Sequence, residues 1–287
     1  MAVVRPLSDA LPGTTVDVPD GRPLLTVEDI RLAFGGTVAI DGVGFDVHPG
    51  ELFAIIGPNG AGKTSIFNCL SGVYRPQRGS LRFLDHDLLR ESPHDIAHLG
   101  IARMFQNIEL FDNLTVLENL MLGRHLHLEY GVFSSLLYRG RTQRIELENR
   151  RIVEDIIDFL EIEAHRKSMV GMLPYGVKKR VELGRALAME PKLLLLDEPV
   201  AGMNIEETED MARFILDIRA ELGVAMIMVE HDMGLVMDLA DRILAVDFGQ
   251  PLALGTPREV QSHPDVIKAY LGEDHAHAVV DPQEAGL

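Results

Sequence analysis

Residues 57–64 read Gly57-Pro58-Asn59-Gly60-Ala61-Gly62-Lys63-Thr64, and they fit the pattern G-x-x-x-x-G-K-[ST] at every fixed position. The apolar run Leu52-Phe53-Ala54-Ile55-Ile56 precedes them and predicts a buried strand. A helix-compatible stretch, Thr64-Ser65-Ile66-Phe67-Asn68-Cys69-Leu70, follows. Strand, glycine loop and helix in that order turn a pattern into a mechanism. Glycines let backbone N–H groups point inward around phosphate oxygens, and a helix N-terminus adds partial positive charge. In this reading Lys63 reaches the β- and γ-phosphates of a nucleotide, and the Thr64 hydroxyl sits on Mg²⁺.

Working outward, Leu24–Phe34 and Val38–Val47 alternate apolar and polar residues around Gly35-Gly36, a hairpin signal. Gly79–Leu84 offers a further short strand. From Leu114 to about Met169 the pattern is helical: Ile152, Ile156, Ile157 and Leu160 form one apolar stripe, with Glu154, Asp155, Asp158 and Glu161 outside it. Arg141, Arg144, Arg150 and Arg151 read as solvated helix faces. Two wholly apolar strands follow, Leu193–Leu196 and Val224–Val229; strands of that kind separated by helices indicate a parallel sheet buried on both faces. Gly249–Gly255 reads as a closing turn and strand, and Val266–Leu271 as a short helix. Residues 1–22, with Pro6, Pro12 and Pro19, read as a flexible N-terminal tail, and 273–287 as a flexible C-terminal one.

Composition bounds the function. The chain has 287 residues, 46% apolar, enough for a substantial core. Its net charge of −17 argues against a protein that grips nucleic-acid backbone. No run approaches the length of a membrane-spanning helix, and Met1–Pro23 lacks a signal-peptide apolar core. Cys69 is the only cysteine, so no disulfide forms within the chain, as suits a cytosolic protein. It reads as a small packed hydrophobe.

Further residues carry chemistry. Asp197 ends an apolar strand and can hold Mg²⁺ through water. Glu198, next to it, can act as general base on the attacking water. His231, at the end of the second apolar strand in Val229-Glu230-His231-Asp232, can donate a hydrogen bond to a γ-phosphate. Gln106, in Arg103-Met104-Phe105-Gln106-Asn107, stands at the junction with the helical insertion; its amide can bind Mg²⁺ or water and sense where the helices sit. Phe34 ends the first strand and reads either as a platform for adenine or as a core aromatic. Leu173-Pro174-Tyr175-Gly176-Val177 opens a helical pattern running to Ala188. Pro174 suits a first turn, and Gly176 is expected to leave backbone exposed as an anion site.

These pieces, in this order, resemble the ATP-binding subunit of an ABC transporter from about Leu24 to Leu271. The resemblance implies an α/β P-loop NTPase fold with a mixed central sheet, an N-terminal antiparallel β subdomain and an inserted α-helical subdomain. The ATPase domain would span 23–272, the insert about 107–174. Gly57–Thr64 becomes the Walker A loop, which with Phe34, Pro58, Asn59, Gly60, Ala61, Gly62, Lys63, Thr64 and Ser65 would bind ATP. Gln106 becomes the Q-loop glutamine, Asp197 and Glu198 the Walker B aspartate and catalytic glutamate, Ala201–Asn204 the D-loop and His231 the switch histidine. Thr64, Gln106 and, through water, Asp197 would hold Mg²⁺. Leu173, Tyr175, Gly176 and Val177 become signature residues facing the γ-phosphate of a partner in a head-to-tail dimer.

Ala39-Ile40, Phe105-Gln106-Asn107, Ala201-Gly202-Met203-Asn204, Pro264–Glu273 and the insert around Gly131-Val132-Phe133 are similar to the branched-chain amino acid importer group, and within it to the first of two ATPases. That implies a second ABC ATPase and two membrane permease subunits as partners, a periplasmic solute-binding protein, and a peripheral place on the cytoplasmic face of the inner membrane. A homodimer of the isolated chain stays open, as do an ABC ATPase of another branch exporting lipid or lipopolysaccharide, a soluble non-transport ABC ATPase, and a nucleotide-gated module with little catalysis. Two positions depart from the common pattern. The signature is usually Leu-Ser-Gly-Gly-Gln, and Pro174 offers no hydroxyl across a dimer. The D-loop usually ends in Asp, where this chain has Asn204.

Overall fold

The computed structural model describes residues 6–14, 16, 18, 21–127 and 141–277. After a short helix α1 (Leu7–Ala10), β1 (Leu25–Phe34) and β2 (Thr37–Val47) form the expected hairpin around Gly35-Gly36. With β4 (Arg78–Phe83) and the two-residue β5 (His86–Asp87) they make an antiparallel sheet of order β2-β1-β4-β5. The central sheet adds β3 (Leu52–Ile56), β6 (Ile101–Met104), β7 (Leu193–Asp197), β8 (Ala225–Val229), β9 (Arg242–Asp247) and β10 (Gln250–Gly255), ordered β10-β9-β3-β8-β7-β6. Five of these strands are parallel, and β10 runs antiparallel to β9 at the edge.

The all-apolar runs have a direct cause. Phe53, Ile55, Leu193, Leu195 and Ile227 face one core, shared with Val27, Ile30 and Leu81 of the antiparallel sheet and with helix α2 (Lys63–Leu70). Their neighbours Leu52, Ala54, Ile56, Leu194, Leu196, Met226 and Met228 face a second core covered by helices. A strand buried on both sides has no position left for a polar residue.

Helix α3 (Pro93–Leu99) leads into β6. The insert contains α4 (Val116–Gly123), opened by the Thr115–Glu118 capping box, and α5 (Arg141–Phe159). Of the expected stripe, Ile156 and Ile157 on α5 and Leu160 just beyond its end are buried and Ile152 is half-buried; Val153 is buried beside them. Arg144, Arg150 and Arg151 are exposed as expected; the side chain of Arg141 and the stretch Gly131-Val132-Phe133 lie outside the described residues. Helices α6 (Tyr175–Leu187), α7 (Ile205–Leu222), α8 (Met233–Leu239), α9 (Pro257–Gln261) and α10 (Pro264–His277) complete the fold.

Both expected tails need correction. Leu7, Ala10 and Leu11 are buried in the same core as α5 and α7, and Thr14 donates to the Leu11 carbonyl at 2.9 Å. Of the prolines that suggest looseness, Pro6 and Pro12 flank a turn of helix whose apolar side is covered, and Pro19 lies outside the described residues. At the other end α10 carries its helix through His277, five residues into the expected tail; residues 278–287 lie outside the described ones.

Candidate active site

The glycine loop is threaded between two backbones. Gly57 leaves β3 at φ +154°, and a Cβ there would lie 2.1 Å from the Val246 carbonyl oxygen. Gly62 caps α2 at φ +103°, and its Cβ would meet the Ala39 carbonyl at 2.4 Å. Only glycine has both the conformation and the clearance. Lys63, first in α2, is buried; its ammonium donates to the carbonyls of Gly57 at 2.5 Å and Pro58 at 3.0 Å. Ala61 is buried, Pro58, Gly62 and Ser65 are half-buried, and Asn59, Gly60 and Thr64 are exposed. No side-chain cap occupies the first N–H groups of α2.

Four adjacent parallel strands, β3, β8, β7 and β6, end at the same edge of the sheet, where α/β proteins hold ligands. Asp197 closes β7 opposite Val229. It is buried. Its Oδ2 accepts from Arg103 Nη2 at 2.6 Å, and its Oδ1 is buried without a hydrogen-bond partner. Arg103, on β6, also donates to Asn68 Oδ1 at 2.7 Å and Ser71 Oγ at 3.2 Å, and its guanidinium lies over the rings of Phe67 and Phe105.

Glu198 follows at φ +51°, held by its N–H to the Val229 carbonyl at 2.9 Å. Its Oε2 accepts from Gln106 Nε2 at 2.8 Å, and its Oε1 lies 3.0 Å from His231 Nε2. Glu198, Gln106 and His231, expected from three distant places in the chain, therefore meet. Glu230 is buried beneath them, accepting from the N–H groups of Val200 and His231 at 2.9 Å each. Burial pushes its carboxyl above the usual range.

Sequence reasoning passed over Arg103 and Glu230. Glu230 had a positional signal, a charged residue directly after the apolar strand β8; Arg103 lies inside the short strand β6, and only its distant partner Asp197 marks it.

Phe34 is 49% exposed and meets Tyr74 edge-on at 5.1 Å, so it is not a core aromatic. In the signature segment Leu173 is largely buried and Val177 half-buried, while Tyr175 is exposed and packs over Gly202. Gly176 corrects the expectation of exposed backbone. It is buried, and a Cβ there would lie 2.3 Å from Glu207 Oε1. Glu207 is held there because it completes the capping box with Asn204, whose side chain accepts from the Glu207 N–H at 2.9 Å. The neutral Asn204 thus serves as the cap of α7. Pro174 precedes α6 with no side-chain cap.

A nucleotide fits the glycine cradle and the uncapped N–H groups of α2. A water-coordinated cation fits Asp197 Oδ1, a buried carboxylate oxygen that needs a partner. Among the described residues there is no cluster of three or more His, Cys, Asp or Glu side chains that could hold a metal ion.

Comparison with known proteins agrees. The family model for the ABC transporter matches residues 40–201, more than half of the chain. The chain belongs to the ABC transporter ATP-binding family. A second model, the branched-chain amino acid ATP-binding cassette transporter, matches residues 250–276. The chain is 39% identical over 252 residues to the high-affinity branched-chain amino acid transport ATP-binding protein LivG of Escherichia coli K12, covering 88% of this chain and 99% of that one. It is 40% identical over 253 residues to BraF of Pseudomonas aeruginosa, with the same coverage. A crystal structure of a nucleotide-free ATP-binding cassette from an ABC transporter superposes with a TM-score of 0.75 at 31% identity, covering 87% of this chain and 99% of that one. An ADP-bound cassette reaches 0.74 at 31% identity, covering 88% and 99%. The fold is that of an ABC ATPase, and no helix among the described residues is long and apolar enough to cross a membrane.

Proposed function

We propose that this ABC ATPase powers import of branched-chain amino acids or related small solutes, with Glu198 as the general base for ATP hydrolysis. The observation that carries the catalytic part is the Glu198 carboxylate held by Gln106 on one oxygen and His231 on the other. Bound Mg·ATP supplies the electrophilic phosphorus and a cation that balances its charge. Lys63, the N–H groups of residues 59–65 and an adenine platform at Phe34 hold the nucleotide. Thr64, Gln106 and Asp197, the last through water, hold Mg²⁺. Glu198 accepts the proton of the attacking water at a carboxylate oxygen. His231 orients that carboxylate and donates to the γ-phosphate. Leu173, Tyr175, Gly176 and Val177, at and just before the start of α6, face the nucleotide of a partner; with Pro174 lacking a hydroxyl and Gly176 covered by Glu207, the helix dipole is the remaining contribution of this segment.

The importer reading is supported by the LivG and BraF likeness and by the second family match at residues 250–276. It makes the chain a peripheral subunit on the cytoplasmic face of the inner membrane, working with a second ABC ATPase, two permease subunits and a periplasmic binding protein. Purification of the tagged chain from membranes, followed by leucine-stimulated phosphate release in proteoliposomes, tests it. Two permeases and a second ATPase should accompany the chain. Recovery without any membrane protein, or turnover indifferent to solute and binding protein, overturns it.

A further inference from the structure

The helix that begins at Tyr175 carries a row of ionic side chains on its buried face. Lys179 is fully buried, and its ammonium donates to the carbonyls of Gln106 at 3.0 Å and Phe105 at 3.3 Å. Glu182, one turn on and equally buried, accepts from the Phe105 N–H at 3.3 Å and lies 3.9 Å from Lys179. Arg185, a further turn on, donates to the Glu109 carbonyl. The segment between β6 and the helical insert is thus bound to one helix by its backbone polar groups. A buried lysine and glutamate are expensive to keep. An apolar helix face would pack the segment without that cost, but with no fixed register along it.

The register matters because the Gln106 side chain leaves this segment to reach Glu198 Oε2 at 2.8 Å. Two hydrogen bonds joined covalently through Gln106 therefore link Lys179 of α6 to the Glu198 carboxylate. We propose that Lys179, paired with Glu182, is a positioning residue that sets where Gln106 meets Glu198. The inference rests on the reading of Gln106 and Glu198 as catalytic.

The test is a double-mutant cycle on the full chain in the complex it purifies with, measuring kcat, KM for ATP and the melting temperature. Lys179→Met and Gln106→Ala should each lower kcat at least fivefold with KM changed less than twofold. The double variant should fall no further than the more severe single. Because Lys179→Met leaves Glu182 buried without its cation, Lys179→Met/Glu182→Gln is measured beside it. That neutral pair should melt near the parent and still show the kcat loss. Factors that multiply in the double variant, a parental kcat in the neutral pair, or a loss confined to KM would each overturn the proposal. A parental kcat in Gln106→Ala alone would remove the reading of that glutamine and the proposal with it.

Discussion

His231 Nε2 lies 3.0 Å from Glu198 Oε1, although the two residues end different strands and are 33 positions apart. The contact follows from parallel pairing, since Asp197 of β7 stands opposite Val229 of β8 and each strand delivers its next residues to the same edge. Glu198→Gln keeps the shape but removes the basic oxygen. Turnover should fall by about 10²–10⁴, the range for loss of a general base, while ATP affinity stays within about threefold. Phosphate release and calorimetric titration check the two halves. Near-parental turnover would take the role from Glu198.

Arg103 and Asp197 form an ion pair at 2.6 Å with both side chains almost wholly buried. Removing one partner strands a charge in the core, at a cost of about 3–5 kcal/mol. Arg103→Met should therefore lower stability by that amount in denaturant unfolding. Arg103→Met/Asp197→Asn should recover much of it while losing ATP turnover. A single variant as stable as the parent would show that the pair contributes nothing net.

The three exposed or buried glycines of the phosphate loop are not equivalent. At Gly57 a Cβ would strike the Val246 carbonyl at 2.1 Å, whereas at Gly60, φ +81°, nothing lies within 4 Å. Gly60→Ala meets only the backbone strain of a left-handed residue, about 1–2 kcal/mol. Gly57→Ala must also move a strand, so it should abolish nucleotide binding and unfold at lower denaturant than Gly60→Ala. Equal behaviour of the two would mean that the clearance at Gly57 is not needed.

Much of this site is legible in the chain because it sits at strand ends. An apolar run followed by an acid, a glutamine or a histidine marks where a buried strand meets solvent, and Asp197, Glu198 and His231 are read that way. Strands β6 and β9 escape because each carries a charge, Arg103 inside Ile101–Met104 and Arg242 at the head of Arg242–Asp247, whose partners lie far off in sequence: Arg103 with Asp197, Arg242 with Asp46 and Glu51. A pattern that expects apolar runs does not see them. Gly176 was misjudged for a related reason. Its cover is Glu207, 31 residues on, placed there by a cap rather than by anything local.

Cys69 sits on α2 against the core, and burial pushes its thiol up to about 12 from the ordinary thiol value near 9. Since the folded value is the higher one, the protonated thiol favours folding. That contribution is whole below about pH 9 and is lost as pH rises from there through about 12. Alkylation at pH 8 should be slower in the native chain than in urea by at least a hundredfold. Rapid native labelling would mean that α2 opens readily or that the thiol is reached by solvent.

The N-terminal segment offers a test that separates a packed strap from a loose tail. Leu11 is fully buried, the Leu7 N–H donates to Glu221 Oε2 at 3.1 Å, and Thr14 Oγ1 reaches the Leu222 carbonyl at 3.4 Å. All three contacts bear on the end of α7 or the core between α7 and α5. Truncating a buried leucine to alanine costs about 2–5 kcal/mol from lost burial and the cavity left behind. At about 2–4 °C per kcal/mol for a domain of this size, Leu11→Ala should melt roughly 4–20 °C below the parent. A surface substitution in a free tail would stay within about 0.5 kcal/mol. Pro6→Ala serves as the control, because Pro6 is exposed and gives α1 no side-chain cap. A melting temperature for Leu11→Ala equal to that of Pro6→Ala would return residues 6–14 to the status of an unattached tail.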